Sequence, residues 1–287
     1  MTDELLRPFR DKIRGRASAS RSAGEHGDAP VEEVRPETIL IRDVVVGPFP
    51  EALPLHPGFT PGVPRVRLTL DVGLGLRKKP GPLGVEETKA LLEFCPRLLD
   101  HDCGSSGSLR RLLLTGVNRL AGTVSSVPDD GAADERDGLN LAHLIEHVAI
   151  ELIVAVTRVL RCSGATCAHA GRLDRFDIFL ECTDPLAGRA AAILAAALVR
   201  DLRIGQTDRL ILHRRCLALL THLAPAAETR MVAEDVALRL ACGRDEAMQT
   251  LQEMVRLGYM EAGPAAYLFS SPTGVLFRRA AIQFSPR

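Results

Sequence analysis

Residues 139–152, LNLAHLIEHVAIEL, hold the reading of this chain. Within them His143, Glu146 and His147 follow the order H-x-x-E-H on the longest helical pattern in the sequence, Leu139–Leu160. Residues four apart share one helical face about 6 Å apart, so two imidazoles there can grip one metal ion. Glu146 sits about 100° round the helix from His147, so its carboxylate lies beside a metal-activated water rather than necessarily on the metal. The flanking residues Leu144, Ile145, Val148, Ala149, Ile150 and Leu152 are apolar, which makes the helix a buried one. Buried histidines and glutamates need partners, and a metal ion satisfies several at once. The plainer alternative is a polar helix face with no metal.

In the inverted-zincin order the metal acidifies water and the Glu takes its proton. Two histidines and a water leave a tetrahedral site one protein ligand short. Glu151 stands at i+8, about 9 Å along the axis from the level of the metal, beyond the comfortable reach of a Glu side chain. Glu151 and His101 read as side chains that orient the metal-binding groups or the substrate. The better third ligand is Cys103 in LLDHDCGSSGS, a small-residue loop able to approach a helix closely. A buried free thiol is the alternative for Cys103. Cys162, Cys167 and His169 form a second candidate cluster, C-x4-C-x-H.

Outward from this helix, TILIRDVVVG (38–47) is strand-like, and RVRLTLDVG (65–73) alternates as a strand with one wet face. The Pro-rich stretch between them reads as a fixed loop. GVEETKALLEFC (84–95) and LRRLLLTGVNRL (109–120) have helical spacing, and 123–138 reads as a polar, acidic inserted loop. RFDIFLEC (175–182) is a strand, and Leu186–Leu202 an Ala-rich helix suited to close packing. Helices at Arg209–Leu223, Val232–Ala241 and Arg244–Leu257 precede AAYLFSSPTGVLFRRA, which reads as two strands around a Ser-Pro-Thr-Gly turn. Three helices and a hairpin are the plan of a winged helix. The expected fold class is α+β: an antiparallel sheet packed by helices, one carrying H-x-x-E-H, plus a C-terminal winged-helix domain. The expected domains are a mobile N-terminal tail at 1–35, a metallohydrolase-like domain at 36–205 and the winged helix at 206–287.

Composition narrows the function classes. In 287 residues Lys plus Arg (36) balance Asp plus Glu (36), so no global basic field argues for nucleic acid or membrane. No apolar run reaches the roughly 18 residues of a membrane span. Seven Cys without regular spacing point to a reducing cytoplasm rather than a disulfide framework.

These residues resemble the N-terminal domain of cyanophycin synthetase. The likeness rests on RVRLTLDVG, on FCPRLL, on His101-Asp102-Cys103-Gly104-Ser105, on Ala142–Leu152 and on FDIFLECTDPLAGRAAAILAAALV, covering roughly residues 63–202. It implies a fold related to the pitrilysin-type metallopeptidases and S-ribosylhomocysteine lyase, with a metal on the H-x-x-E-H helix. The lyase's use of a Cys ligand supports Cys103. Peptide-bond hydrolysis is the activity the resemblance implies. The ATP-grasp and Mur-ligase-like parts of the synthetase have no counterpart here, RCSGATCAHAG replaces an expected Gly-Arg-Thr-Arg segment, and the winged helix is foreign to the family.

The sequence therefore points to a zinc-dependent peptidase or amidohydrolase. His143, His147 and Cys103 would hold the metal, and Glu146 would be the general base acting on a peptide or peptide-like substrate. The alternative is a non-enzymatic, metal-stabilised regulator or peptide-binding protein acting through its winged helix. The would-be recognition helix sets Arg244 and Arg256 against Asp245, Glu246 and Glu253, a poor phosphate footprint. That favours protein contact, such as a homodimer, over nucleic acid.

Overall fold

The computed structural model describes residues 38–73, 83–101, 133–223, 230–262 and 267–269. Four strands form one antiparallel sheet: β1 (Ile39–Gly47), β2 (Arg65–Val72), β3 (Gly164–His169) and β4 (Arg172–Glu181), in the spatial order β1-β2-β4-β3. Its register sets Val66 opposite Val46 and Leu180, and Leu70 opposite Ile41 and Phe176. Those residues share one face, and period-2 alternation keeps the set together. Against that face pack α2 (Ala133–Thr157) and α3 (Pro185–Arg203), and α1 (Val85–Phe94) packs on α3.

The core is laid down by these periodicities. Leu144, Ile145, Val148 and Leu152 of α2 share one buried cluster with Ala190, Ile193 and Leu194 of α3 and the sheet residues Leu68, Leu70 and Ile178. The alanines of α3 let that helix lie close to its neighbours. Asp184 starts it by accepting from the backbone N–H groups of Leu186 and Ala187 at 3.0 Å, with Pro185 in its first turn. At Gly188 a Cβ would stand 2.6 Å from Cys182 Cβ, so only glycine allows this depth of packing.

The other face of β2 is polar but not wet, contrary to the alternation reading. Arg65 and Asp71 are buried. The Pro-rich loop covers Arg65: its guanidinium donates to the carbonyls of Pro48 and Thr60 at 2.6 and 2.7 Å and stacks over Phe59. Asp71 accepts from Arg42 and from Arg175 at 2.6 Å each. These guanidinium hydrogen bonds hold its carboxyl below the usual range against the opposing pull of burial.

Beyond α3 come α4 (Leu210–Leu223), β5 (Arg230–Met231), α5 (Ala233–Leu240), α6 (Arg244–Arg256), β6 (Met260–Ala262) and β7 (Tyr267–Phe269). The last three strands form a sheet ordered β5-β7-β6. Cys216, Leu219, Leu251, Met254 and Tyr259 join the same buried cluster as α2 and α3. Buried Arg189 of α3 donates to the carbonyl of Gly258 at 3.2 Å.

Four boundaries differ from the sequence reading. α2 begins at Ala133, so residues 133–138 of the expected loop are helical. β3 runs through the candidate C-x4-C-x-H segment, where the sequence marks no strand; GATCAH lacks the β-branched alternation of one. The short β5 was not anticipated. β6 pairs antiparallel with β7, a pairing the expected hairpin did not include. The tail at 1–35, the helix at 109–120 and the second half of the expected hairpin lie outside the described residues. No described helix is long and apolar enough to cross a membrane.

Candidate metal centre

Helix α2 sets His143, Glu146 and His147 at i, i+3 and i+4, on one face. Each offers a ligand atom within 4.8 Å of the others, the one such group among the described residues. Glu146 and His147 are buried, whereas the His143 side chain keeps 23% of its exposure, giving the group one open side.

Two neighbouring segments fix the group. The first carries His101, just after a single 3-10 turn at Leu98–Asp100. Its Nε2 lies 2.9 Å from Glu151 Oε2, and its Nδ1 lies 3.1 Å from His147 Nδ1. A carboxylate only accepts, so His101 Nε2–H donates to Glu151. In the arrangement where His101 is neutral, its Nδ1 is bare and accepts from His147 Nδ1–H. That fixes the tautomer of His147 and leaves its Nε2 lone pair pointing at His143 Nε2, 3.0 Å away. Either His143 donates across this gap or both lone pairs serve one cation. Two donors at about 2.0–2.1 Å on a tetrahedral ion stand about 3.3 Å apart, close to the separation seen.

The second segment is β3. Thr166 Oγ1–H donates to Glu146 Oε2 at 2.5 Å. Gly164 makes the approach possible, because a Cβ there would lie 2.9 Å from both Glu146 Oε1 and Ile150 Cδ1.

Burial sets the protonation states. It pushes His147 down to about 3, with His143 and His101 adding to the effect, and it lowers His143. Both imidazoles are therefore neutral at pH 7, the form in which histidine binds metal. Burial pushes Glu146 up to about 7, against the pull of the Thr166 hydrogen bond, so near neutrality it is poised between accepting and releasing a proton. A donor set of two neutral imidazoles and a carboxyl fits a borderline-soft divalent ion.

The structure thus brings together His143, Glu146 and His147, and places His101 and Glu151 behind His147. Both His101 nitrogens are committed, so it supports a ligand rather than acting as one. Cys103 lies outside the described residues. The second cluster does not converge: strand alternation puts Cys162 on the helix side of the sheet and Cys167 on the opposite side. His169 instead lies 2.9 Å from Asp177 on β4. Thr166 and Gly164 escaped the sequence reading because the strand bearing them did. A helix-facing glycine two residues from a threonine was the available signal.

Known proteins do not place the chain. No family model, no curated protein and no solved structure matches it.

Proposed function

We propose that the chain is a zinc-dependent hydrolase of peptide or isopeptide bonds. One observation carries the reading: the Nε2 atoms of His143 and His147 stand 3.0 Å apart on one helical face, with the Glu146 carboxyl in the same group of ligand atoms. His143 and His147 hold the ion, with Cys103 as the proposed third ligand. A bound zinc ion supplies acidification of a water molecule and polarisation of the amide carbonyl. Glu146 accepts the attacking water's proton on its carboxylate and delivers it to the departing amine nitrogen. Thr166 holds Glu146 Oε2 in place while this proton moves. Glu151 and His101 keep His147 in the tautomer that presents Nε2, the support that metal-bound histidines commonly have. The resemblance to the cyanophycin synthetase N-terminal domain agrees with amide hydrolysis, and membership of that family is part of the proposal.

The test is cleavage of a mixed acidic and basic peptide library by wild type and Glu146→Gln. Removal of the general base lowers turnover by about 10²–10⁴-fold while the metal stays bound. Equal turnover would take Glu146 out of the mechanism.

A second reading rests on the order α4-β5-α5-α6-β6-β7, which is the plan of a winged helix. In it the chain is a regulator whose C-terminal module makes contacts. Glu234, Asp235, Asp245 and Glu246 stand exposed on α5 and α6, and Arg244 and Arg215 are engaged with Glu234 and Glu246. This surface suits protein contact, a second copy of the chain included, better than phosphates. Steeply salt-dependent filter binding to duplex DNA would reverse that preference.

A further inference from the structure

We propose that Cys162 and Cys182 are a cross-strand disulfide site that staples the end of β3 to β4. The register makes the case. Gly164 faces Leu180, and Glu181 N–H donates to Ser163 C=O at 2.9 Å, so the pairing continues to Cys162 opposite Cys182. Glu181 N–H to Ser163 C=O is one of the two bonds of a bonded pair, and pairs alternate along an antiparallel ladder, so regular continuation makes Cys162–Cys182 a non-bonded pair. Such pairs set their Cα atoms about 4.5 Å apart, within the range of about 4.4–6.8 Å that a disulfide spans.

Orientation agrees. Directly opposed residues point to the same side, here the helix side, where Cys182 is in the core and Cys162 packs against it. The Cys162 thiol already reaches towards its partner strand, donating to Glu181 C=O at 3.2 Å. The pair lies two residues before Gly164 and four before Thr166, which together seat Glu146. A covalent staple there would hold the strand that supports the candidate site.

The chemistry is exchange with a small-molecule disulfide such as oxidised glutathione. One thiolate attacks a glutathione sulfur and expels one glutathione thiolate. The second cysteine then attacks the mixed disulfide and expels the other. Two protein thiols are oxidised, one glutathione disulfide is reduced to two thiols, and both protons pass to the expelled thiolates. Burial keeps both cysteines as thiols, with Cys182 pushed up to about 12. Exchange is consequently slow at neutral pH.

The experiment is therefore run to equilibrium from both sides. The full chain, either fully reduced or pre-oxidised with diamide, is held in a series of reduced and oxidised glutathione ratios until the two series agree. It is then acid-quenched, alkylated in denaturant and mapped by mass spectrometry without reduction. The expected result is a peptide bearing Cys162 linked to one bearing Cys182 at the oxidising end, with Cys95 and Cys216 still alkylated. Hydrogen exchange at 164–166 slows in the linked form, and Cys162→Ala abolishes that slowing. Converged series with both thiols free at the most oxidising poise would overturn the proposal. So would either cysteine joined to glutathione or to a different cysteine. None of these outcomes depends on whether the chain binds metal or cleaves peptides.

Discussion

Replacing Glu146 with Gln should stabilise the metal-free protein, and only above mildly acid pH. Glu146 titrates near 4.5 when the chain is unfolded and at about 7 when folded, because burial disfavours its charge. Between those values the unfolded chain gives up a proton that the folded chain keeps. The contribution to stability is therefore full below pH 4.5, falls as pH rises, and is exhausted above about 7. The difference of about 2.5 pH units, at about 1.4 kcal/mol each, makes the loss about 3 kcal/mol. Glutamine does not titrate, and its amide oxygen can still accept from Thr166. Any constant cost of the amide, and the slope due to His147, are common to the comparison across pH. Urea unfolding of chelator-stripped wild type and E146Q at pH 5, 6, 7 and 8 should show the variant gaining about 2.5 kcal/mol relative to wild type between the ends, part of the loss having already occurred by pH 5. A gap independent of pH would refute the assignment of Glu146 as a buried, proton-holding carboxyl.

Two other perturbations probe the supports of the site. Gly164→Ala places a methyl 2.9 Å from Glu146 Oε1 and Ile150 Cδ1, an overpacking that should cost about 1–3 kcal/mol in urea unfolding. Gly243→Ala, whose methyl meets nothing nearer than Glu246 Oε2 at 3.6 Å, is the control and should change stability by under about 1 kcal/mol, because the N-cap preference for Gly over Ala opposes the entropy that Ala removes from the unfolded chain. His101→Ala breaks the link between Glu151 and His147, and should weaken metal binding about 10–100-fold in competition with a chromophoric chelator. Unchanged affinity would leave His101 without a positioning role.

The sheet strands and core helices were legible where periodicity was strong. Alternation in RVRLTLDVG and helical spacing through LNLAHLIEHVAIEL needed no tertiary information, and H-x-x-E-H defined one helical face by geometry alone. The rest depended on contacts between distant segments. The outer face of β2 looked wet because Arg65, Arg67, Thr69 and Asp71 are polar. Only the fold shows that a Pro-rich loop and two arginines cover much of it. β3 was missed because Gly164, Ala165 and Ala168 are too small to advertise a strand, yet smallness is what admits Glu146. The C-x4-C-x-H spacing failed as a ligand set because strand geometry, unlike a loop, sends alternate residues to opposite faces. His101 and Glu151 stand 50 residues apart in sequence, and their joint role emerges only when the 98–101 turn packs on α2.

The central claim is that α2 holds a metal ion. Elemental analysis of the chain, purified without a metal-binding tag, on wild type, His147→Ala and Cys103→Ala tests it most directly. The account predicts about one zinc per wild-type chain and loss of the metal in both variants. Folded wild type that carries no metal after incubation with zinc would contradict it.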